Sequence, residues 1–144
     1  MNKYRSHNCN QLRKKDVGKD VLLSGWVNKR RDHGNLLFID LRDNYGVTQC
    51  IIDKDNSNFS ELEKMQLETV IKINGKVVDR SIDTVNKDIE TGEIEIKIKS
   101  FNILGKCKEL PMPIFSDQDY AEEIRLKYRF LDLRRKKIHE NILL

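Results

Sequence analysis

Cysteine is scarce and scattered: Cys9, Cys50 and Cys107 are odd in number and far apart, with no Cys-x-x-Cys and no His/Cys pair at zinc spacing. Neither a disulfide framework nor a structural metal is expected, and a reducing, cytoplasmic setting fits best. Proline occurs only twice, at Pro111 and Pro113, so nothing upstream is forced out of regular structure by a fixed φ. No apolar run approaches the length of a bilayer crossing, and the opening residues Met1 to Asn8 carry no apolar core of the kind that directs export. Membrane insertion is therefore not expected.

Charge, by contrast, is plentiful: 35% of the 144 residues are Asp, Glu, Lys or Arg, against 38% hydrophobic. That balance suits one domain, or one domain with a short appendage, that has a real core and an ionic surface. The net charge of +4 is unevenly spread. Residues 1–43 hold 10 Lys/Arg against 5 Asp/Glu, residues 44–119 hold 10 against 14, and residues 120–144 hold 7 against 4. The basic ends are laid out as a polyanion footprint would be, although a solvated charged face has the same composition.

The stretch from Leu22 to Asp53 contains three strand-like runs. Asp32-His33-Gly34-Asn35 separates the first from the second, and Arg42 to Gly46 the second from the third, so an antiparallel three-strand meander is expected. In the middle run Leu37, Ile39 and Leu41 share one face, while Phe38, Asp40 and Arg42 share the other. An aromatic among charges is either covered by a second layer or presented to a ligand. The cations Lys29, Arg30 and Arg31 end the first run. A planar ring beside a basic edge suits single-stranded nucleic acid, whose bases stack on the ring while phosphates meet the cations. Trp26 is assigned to packing and Cys50 to a small buried apolar role.

Upstream, Asn10 to Gly18 reads as a short helix capped by Asn10 and stopped by Gly18. After the meander, Ser60 and Glu63 have the spacing of a capping box opening a helix through Glu68, with Leu62 and Met65 inward. Val70 to Val78 is a fourth strand, with Ile71, Ile73 and Val77 on one side. Residues 79–92 form a polar loop. Ile94, Ile96 and Ile98 alternate strictly in a fifth strand, and the phase slips to Phe101 and Ile103, which predicts a bulge. The expected fold is all-β with short helices: a five-stranded antiparallel Greek-key barrel of the OB type at residues 1–108, with its helix between strands three and four. Pro111 and Pro113 mark a boundary. Beyond it, Tyr120, Ile124, Tyr128 and Leu131 recur at helical spacing, so 109–144 is expected to be a mostly helical hinge or tail. Its basic run Arg134 to Lys137 is either a solvated face or an RNA contact. The apolar end at Ile142, Leu143 and Leu144 predicts that the chain continues.

Several motifs in order carry a resemblance: Gly25-Trp26-Val27-Asn28-Lys29-Arg30-Arg31-Asp32-His33-Gly34; Phe38-Ile39-Asp40-Leu41-Arg42-Asp43 with Gly46-Val47-Thr48-Gln49; Thr91-Gly92-Glu93-Ile94-Glu95; and Arg125 to Arg135. From about Asn8 onward the chain resembles the N-terminal part of bacterial aspartyl-tRNA synthetases. The resemblance implies that the barrel is an anticodon-binding domain, that 109–144 is a hinge and the start of a class II catalytic domain, and that the full-length parent joins aspartate to tRNA(Asp). It also implies a homodimeric parent whose ATP and Mg2+ residues lie outside this chain, so no catalytic residue, cofactor or metal is expected here. Position by position, Phe38 matches the ring on which an anticodon base stacks, and Gln49 the amide that reads a central uridine. Lys29 and Arg31, with Arg30 between them, match basic contacts to the loop; Lys29 stands where many relatives carry Arg, which replaces a fork by a point charge. Arg80, Asn86 and Glu93 fall where the outer anticodon bases are read. His33 resembles the relaxed members that also charge tRNA(Asn). The asparaginyl and lysyl enzymes, a general single-strand binder and an oligosaccharide- or protein-binding barrel remain as alternatives.

Overall fold

A computed structural model describes residues 2–116 and 118–143, which divide into two compact units, 1–107 and 108–144. In the first, five strands close a barrel: β1 Asp20–Asp32, β2 Leu36–Arg42, β3 Val47–Asp53, β4 Val70–Asp79 and β5 Ile94–Gly105, in the order β1-β2-β3-β5-β4. The meander and the five strands are as expected from the alternation. The ladders are not all antiparallel, however: β3 and β5 run parallel, pairing Cys50 with Ile96 and Ile51 with Lys97. This short parallel ladder closes the sheet into a barrel, which no local sequence pattern reports.

The inward residues of each strand fill one core. Val21, Leu23 and Val27, then Leu37, Ile39 and Leu41, then Ile71, Ile73 and Val77, then Ile94, Ile96 and Ile98 are all buried. Burial also pushes the thiols of Cys9 and Cys50 well above their ordinary range, so both stay neutral and fill the core as small uncharged residues. The expected phase slip in β5 is a bulge at Lys99: Asn74 pairs with Ser100 and Gly75 with Ile98. A second bulge was not foreseen. Val27 pairs with Leu41 but Lys29 with Asp40, so Asn28 is the extra residue in β1.

Two local expectations fail for visible reasons. Asn10 to Gly18 is not a helix but a single 3-10 turn at Lys14–Asp16. The Asp16 carboxylate accepts from the Arg13 backbone N–H at 2.9 Å and from Lys19 Nζ at 2.7 Å, closing the turn locally. The residues before it stay irregular so that Cys9 and Leu12 can both plug the barrel. Likewise there is no capping box at Ser60. Helix α1 is Phe59–Glu63, one residue earlier and one turn shorter than expected, because Phe59 is drawn into the core with Leu62 and Met65. Ser60 is exposed inside its first turn.

The second unit is largely helical, as the spacing predicts, and carries three short helices: α2 Glu122–Lys127, α3 Arg129–Asp132 and α4 Lys136–Ile142. The break at Tyr128 and the extended backbone at Arg135 wrap the chain around Asp132, which is fully buried. Arg125, Arg129 and Arg135 reach its carboxylate at 3.2, 3.2 and 3.4 Å. Burial alone would raise this carboxyl, but hydrogen bonds and charge from Arg125 and Arg135 hold it below the ordinary carboxylate range. Met112, Ile114 and Leu131 form the unit's small core. No helix among the described residues is long and apolar enough to cross a membrane.

Candidate nucleic-acid interface

The Asn28 bulge decides which cations face outward. A one-residue slip exchanges the two faces of a strand. Before the bulge, Val21, Leu23 and Val27 point inward; after it, Lys29 lies opposite Asp40 and Arg31 opposite Phe38, all on the outer face. Arg30 falls on the other face, opposite Ile39, and its guanidinium donates to the Met65 carbonyl, two residues past the end of α1. Of the three consecutive cations, then, the fold brings Lys29 and Arg31 to the outer face and uses Arg30 to hold the helix.

On that face Phe38 is half-buried, with Arg31 over its ring at 5.9 Å and the His33 ring edge-on, centroids 5.0 Å apart at 81°. His33 reaches this position from the β1–β2 turn, where Gly34 takes φ +81, a conformation glycine adopts without strain. One edge and one flank of the phenyl group are thus supported. Asp40 pairs with Gln49 across β2 and β3, which sets the Gln49 amide beside Arg31. Arg31 Nη2 donates to Asp40 Oδ1 at 2.8 Å and to Gln49 Oε1 at 3.0 Å; Gln49 Nε2 donates to Glu95 Oε2 at 2.8 Å.

Beneath Glu95 lies Arg80, which is buried rather than presented. Its Nε donates to the Ile94 carbonyl at 3.1 Å and its Nη1 to the Thr84 carbonyl at 3.3 Å, with Glu95 Oε2 at 3.9 Å. Its Nη2 has no hydrogen-bond partner among the described residues. Burial lowers the guanidinium's pKa from its ordinary value, and the charges of Glu95 and Asp40 oppose that fall. Asn86 is spent on the loop: its backbone N–H donates to the Gly92 carbonyl at 3.1 Å, and its Oδ1 accepts from the Asp88 N–H at 2.9 Å. A Cβ at Gly92 would collide with the Asn86 carbonyl, so this closure requires glycine. Glu93 is exposed, and its carbonyl accepts from the Arg80 N–H at 3.0 Å.

A half-exposed ring, two outward cations and a hydrogen-bonded amide therefore share one face of a closed barrel. A family model described as an OB-fold nucleic acid binding domain matches residues 21–104, the barrel from the start of β1 to the end of β5. The chain belongs to the OB-fold nucleic acid binding domain family. Its OB domain and tail are 74% identical, over 144 residues, to the aspartate–tRNA(Asp/Asn) ligase of Pelagibacter ubique, covering all of this chain and 24% of that protein. The enzyme of the same name from Bradyrhizobium diazoefficiens is 54% identical over 143 residues, covering 99% and 24%. The chain thus spans about a quarter of the length of the curated relatives it matches. Among solved structures, asparaginyl-tRNA synthetase from Pyrococcus horikoshii complexed with asparaginyl-adenylate superposes with a TM-score of 0.75 at 25% identity, over 91% of this chain and 29% of that one. The resemblance to aspartyl-tRNA synthetases stated from the motifs agrees with these relatives.

Two members of the OB domain's outer network were not singled out from sequence. Asp40 and Glu95 are the carboxylates that Arg31 and Gln49 engage. The signal for Glu95 was present in the alternation around Ile94 and Ile96, which puts Glu93 and Glu95 on the same outer face; only the β3–β5 pairing shows that Glu95 is the one at the level of Gln49. Among the described residues no cluster of His, Cys, Asp or Glu could hold a metal ion.

Arg31 supplies a test of the face itself. Each phosphate neutralised by a cation contributes about one unit to the slope of log affinity on log salt. Arg31→Ala is expected to weaken binding of a single-stranded RNA hairpin and to flatten that slope by about 1, measured by fluorescence anisotropy over a salt series. An unchanged slope would mean that Asp40 and Gln49 retain this cation and RNA does not meet it.

Proposed function

We propose that this chain recognises the anticodon loop of a tRNA and is the anticodon-binding part of an aspartate–tRNA ligase. The observation that carries the reading is that Phe38 and Gln49 lie on the same face of the adjacent strands β2 and β3, with Arg31 opposite Phe38 and hydrogen-bonded to Gln49, and Lys29 beside them. An unstacked base lies on the phenyl ring, its edge meets the carboxamide, and the backbone phosphates run along the β1 cations. After its bonds to Arg31 and Glu95, the Gln49 amide keeps one acceptor and one donor site, which match the N3–H and a carbonyl of uridine. Glu93, Asn86 and Arg80 bound the loop at residues 79–92 where the flanking bases would be read, with Arg80 acting from below.

Residues 109–144 are assigned the role of a hinge leading into a class II catalytic domain. Aspartate activation with ATP and Mg2+ belongs in the three quarters of the relatives' length that this chain does not span, and the parent is a cytoplasmic homodimer. The chain alone binds tRNA without aminoacylating it. The test is titration of the chain with anticodon hairpins bearing GUC, GUU and an unrelated triplet. Preference for GUC and GUU is expected; equal affinity for all three would make the barrel a general single-strand binder.

The parent is further proposed to charge both tRNA(Asp) and tRNA(Asn). His33 supports this reading: the turn residue makes an edge contact with Phe38, the ring on which the base is proposed to stack. The two curated relatives described above carry the name of a dual-specificity ligase. Charging of both purified tRNAs by the full-length protein at comparable rates is the expected result, and a large preference for tRNA(Asp) would remove this part of the proposal.

A further inference from the structure

The Gln49 amide has a charge of each sign hydrogen-bonded to its two ends, and this arrangement goes beyond the presence of a base-reading amide. A primary amide is nearly symmetric in shape, so its oxygen and nitrogen exchange places by rotation about the last side-chain bond at little steric cost. The choice matters for reading a pyrimidine. Uridine offers N3–H as a donor beside carbonyl acceptors, whereas cytidine offers N3 as an acceptor beside an amino donor. An amide in one sense fits the first pattern, and the same amide turned over fits the second.

Here the two ends are held by groups that cannot exchange roles. A guanidinium has donors only, so Arg31 accepts nothing from an Nε2 turned toward it; an ionised carboxylate has acceptors only, so Glu95 offers nothing to an Oε1 turned toward it. Reversing the amide would face N–H against the cation and oxygen against the anion, losing two charge-assisted bonds at once. The clamps are themselves fixed. Asp40 holds Arg31 at 2.8 Å, and the buried Arg80 lies under Glu95 at 3.9 Å, anchored to the carbonyls of Ile94 and Thr84. Gln49 itself is only 8% exposed, and the two groups that hold it come from opposite sides, Arg31 from the exposed edge of β1 and the part-buried Glu95 from β5.

We infer that Arg31 and Glu95 act as positioning residues through Gln49: by fixing the sense of its amide they set the discrimination between uridine and cytidine at the base stacked on Phe38. This rests on the anticodon-reading proposal and adds that the discrimination belongs to the charged pair as well as to the amide. Asp40 and Arg80 serve it by holding the two clamps.

The test uses the whole chain, wild type and two variants, with hairpins bearing GUC and GCC. Glu95→Gln keeps the shape but presents a group that both donates and accepts, and Arg31→Met removes the donor on the opposite side while keeping an unbranched stem. Circular dichroism and thermal melting establish that each variant is folded. A well-placed pair of base-edge hydrogen bonds discriminates by about 10-fold or more, so the GUC:GCC affinity ratio should fall by about that factor in each variant; in Glu95→Gln the GCC affinity holds or rises as GUC affinity drops, whereas Arg31→Met also lowers both affinities through the lost cation while GUC falls further than GCC. A variant that loses affinity for both hairpins by the same factor, leaving the ratio at the wild-type value, would overturn the inference while the anticodon reading stands. A wild-type chain that binds neither hairpin above an unrelated triplet would overturn both.

Discussion

Glu68→Ala is expected to destabilise the barrel by about 3 to 5 kcal/mol, the range for removing one partner of a buried ion pair. Arg42 forks onto Glu68 with Nη1–Oε1 at 2.9 Å and Nη2–Oε2 at 3.0 Å, and neither residue is more than 8% exposed. Truncation leaves a guanidinium out of water with its main counter-charge gone. The same guanidinium donates to Asn28 Oδ1 at 2.7 Å and lies over the Trp26 ring at 5.5 Å. The Glu68 and Val27 backbones are also joined, Glu68 N–H to the Val27 carbonyl at 2.8 Å. The pair therefore fastens the bulge that turns Lys29 and Arg31 outward, and its loss reaches RNA binding as well as stability. Glu68 has φ +68, a left-handed conformation that costs a residue with a Cβ about 1 kcal/mol relative to glycine. Glu68→Gly should accordingly be less damaging than Glu68→Ala by about that amount. Urea unfolding followed by Trp26 fluorescence checks both. A loss below about 1 kcal/mol for Glu68→Ala would place the pair among surface salt bridges.

Phe38→Ala is expected to weaken anticodon-hairpin binding by about 1 to 3 kcal/mol, the contribution of one stacked base, with thermal melting little changed. The ring is half-buried and its aromatic and cationic neighbours are His33 and Arg31, both exposed on the same side, while the core beneath β2 is made by Leu37, Ile39 and Leu41. Truncating a core phenylalanine costs about 3 to 5 kcal/mol of stability. A large drop in melting temperature with unchanged RNA affinity would therefore make Phe38 a packing residue.

The contrast between these residues shows what local pattern can report. Phe38 was legible because β2 alternates cleanly, with two turn signals fixing its ends, so a ring on the face of Asp40 stood out. The Lys99 bulge was legible for a similar reason: isoleucines mark the phase on one side of it and Phe101 and Ile103 on the other. The Asn28 bulge left no such trace. Past Val27 the strand runs through four exposed residues, Lys29 to Asp32, with no apolar residue to show that the phase had changed. Three adjacent cations consequently read as one basic edge, although the bulge separates Arg30 from the other two.

Long-range pairs were beyond reach for a different reason. Arg42 and Glu68 are 26 residues apart and Gln49 and Glu95 46 apart, and neither separation carries a periodic signature. Arg42 was placed correctly on the face of Phe38 and Asp40, but its burial follows from Glu68 and Trp26. Two short helices were misjudged where tertiary demand overrode a local motif: Phe59 displaced the capping box, and Leu12 and Cys9 kept the N-terminal segment irregular. Capping preference amounts to about 1 kcal/mol, less than the burial of a single large side chain, so the outcome follows the core.

The central claim is that a base leaves its stack to lie on Phe38 with its edge against Gln49. Side-chain NMR of the chain titrated with a GUC hairpin tests it most directly. Ring-current shifts of the Phe38 protons, together with displacement of the Gln49 amide protons, are the predicted result. Phe38 and Gln49 resonances that stay in place while the hairpin binds elsewhere would contradict the account.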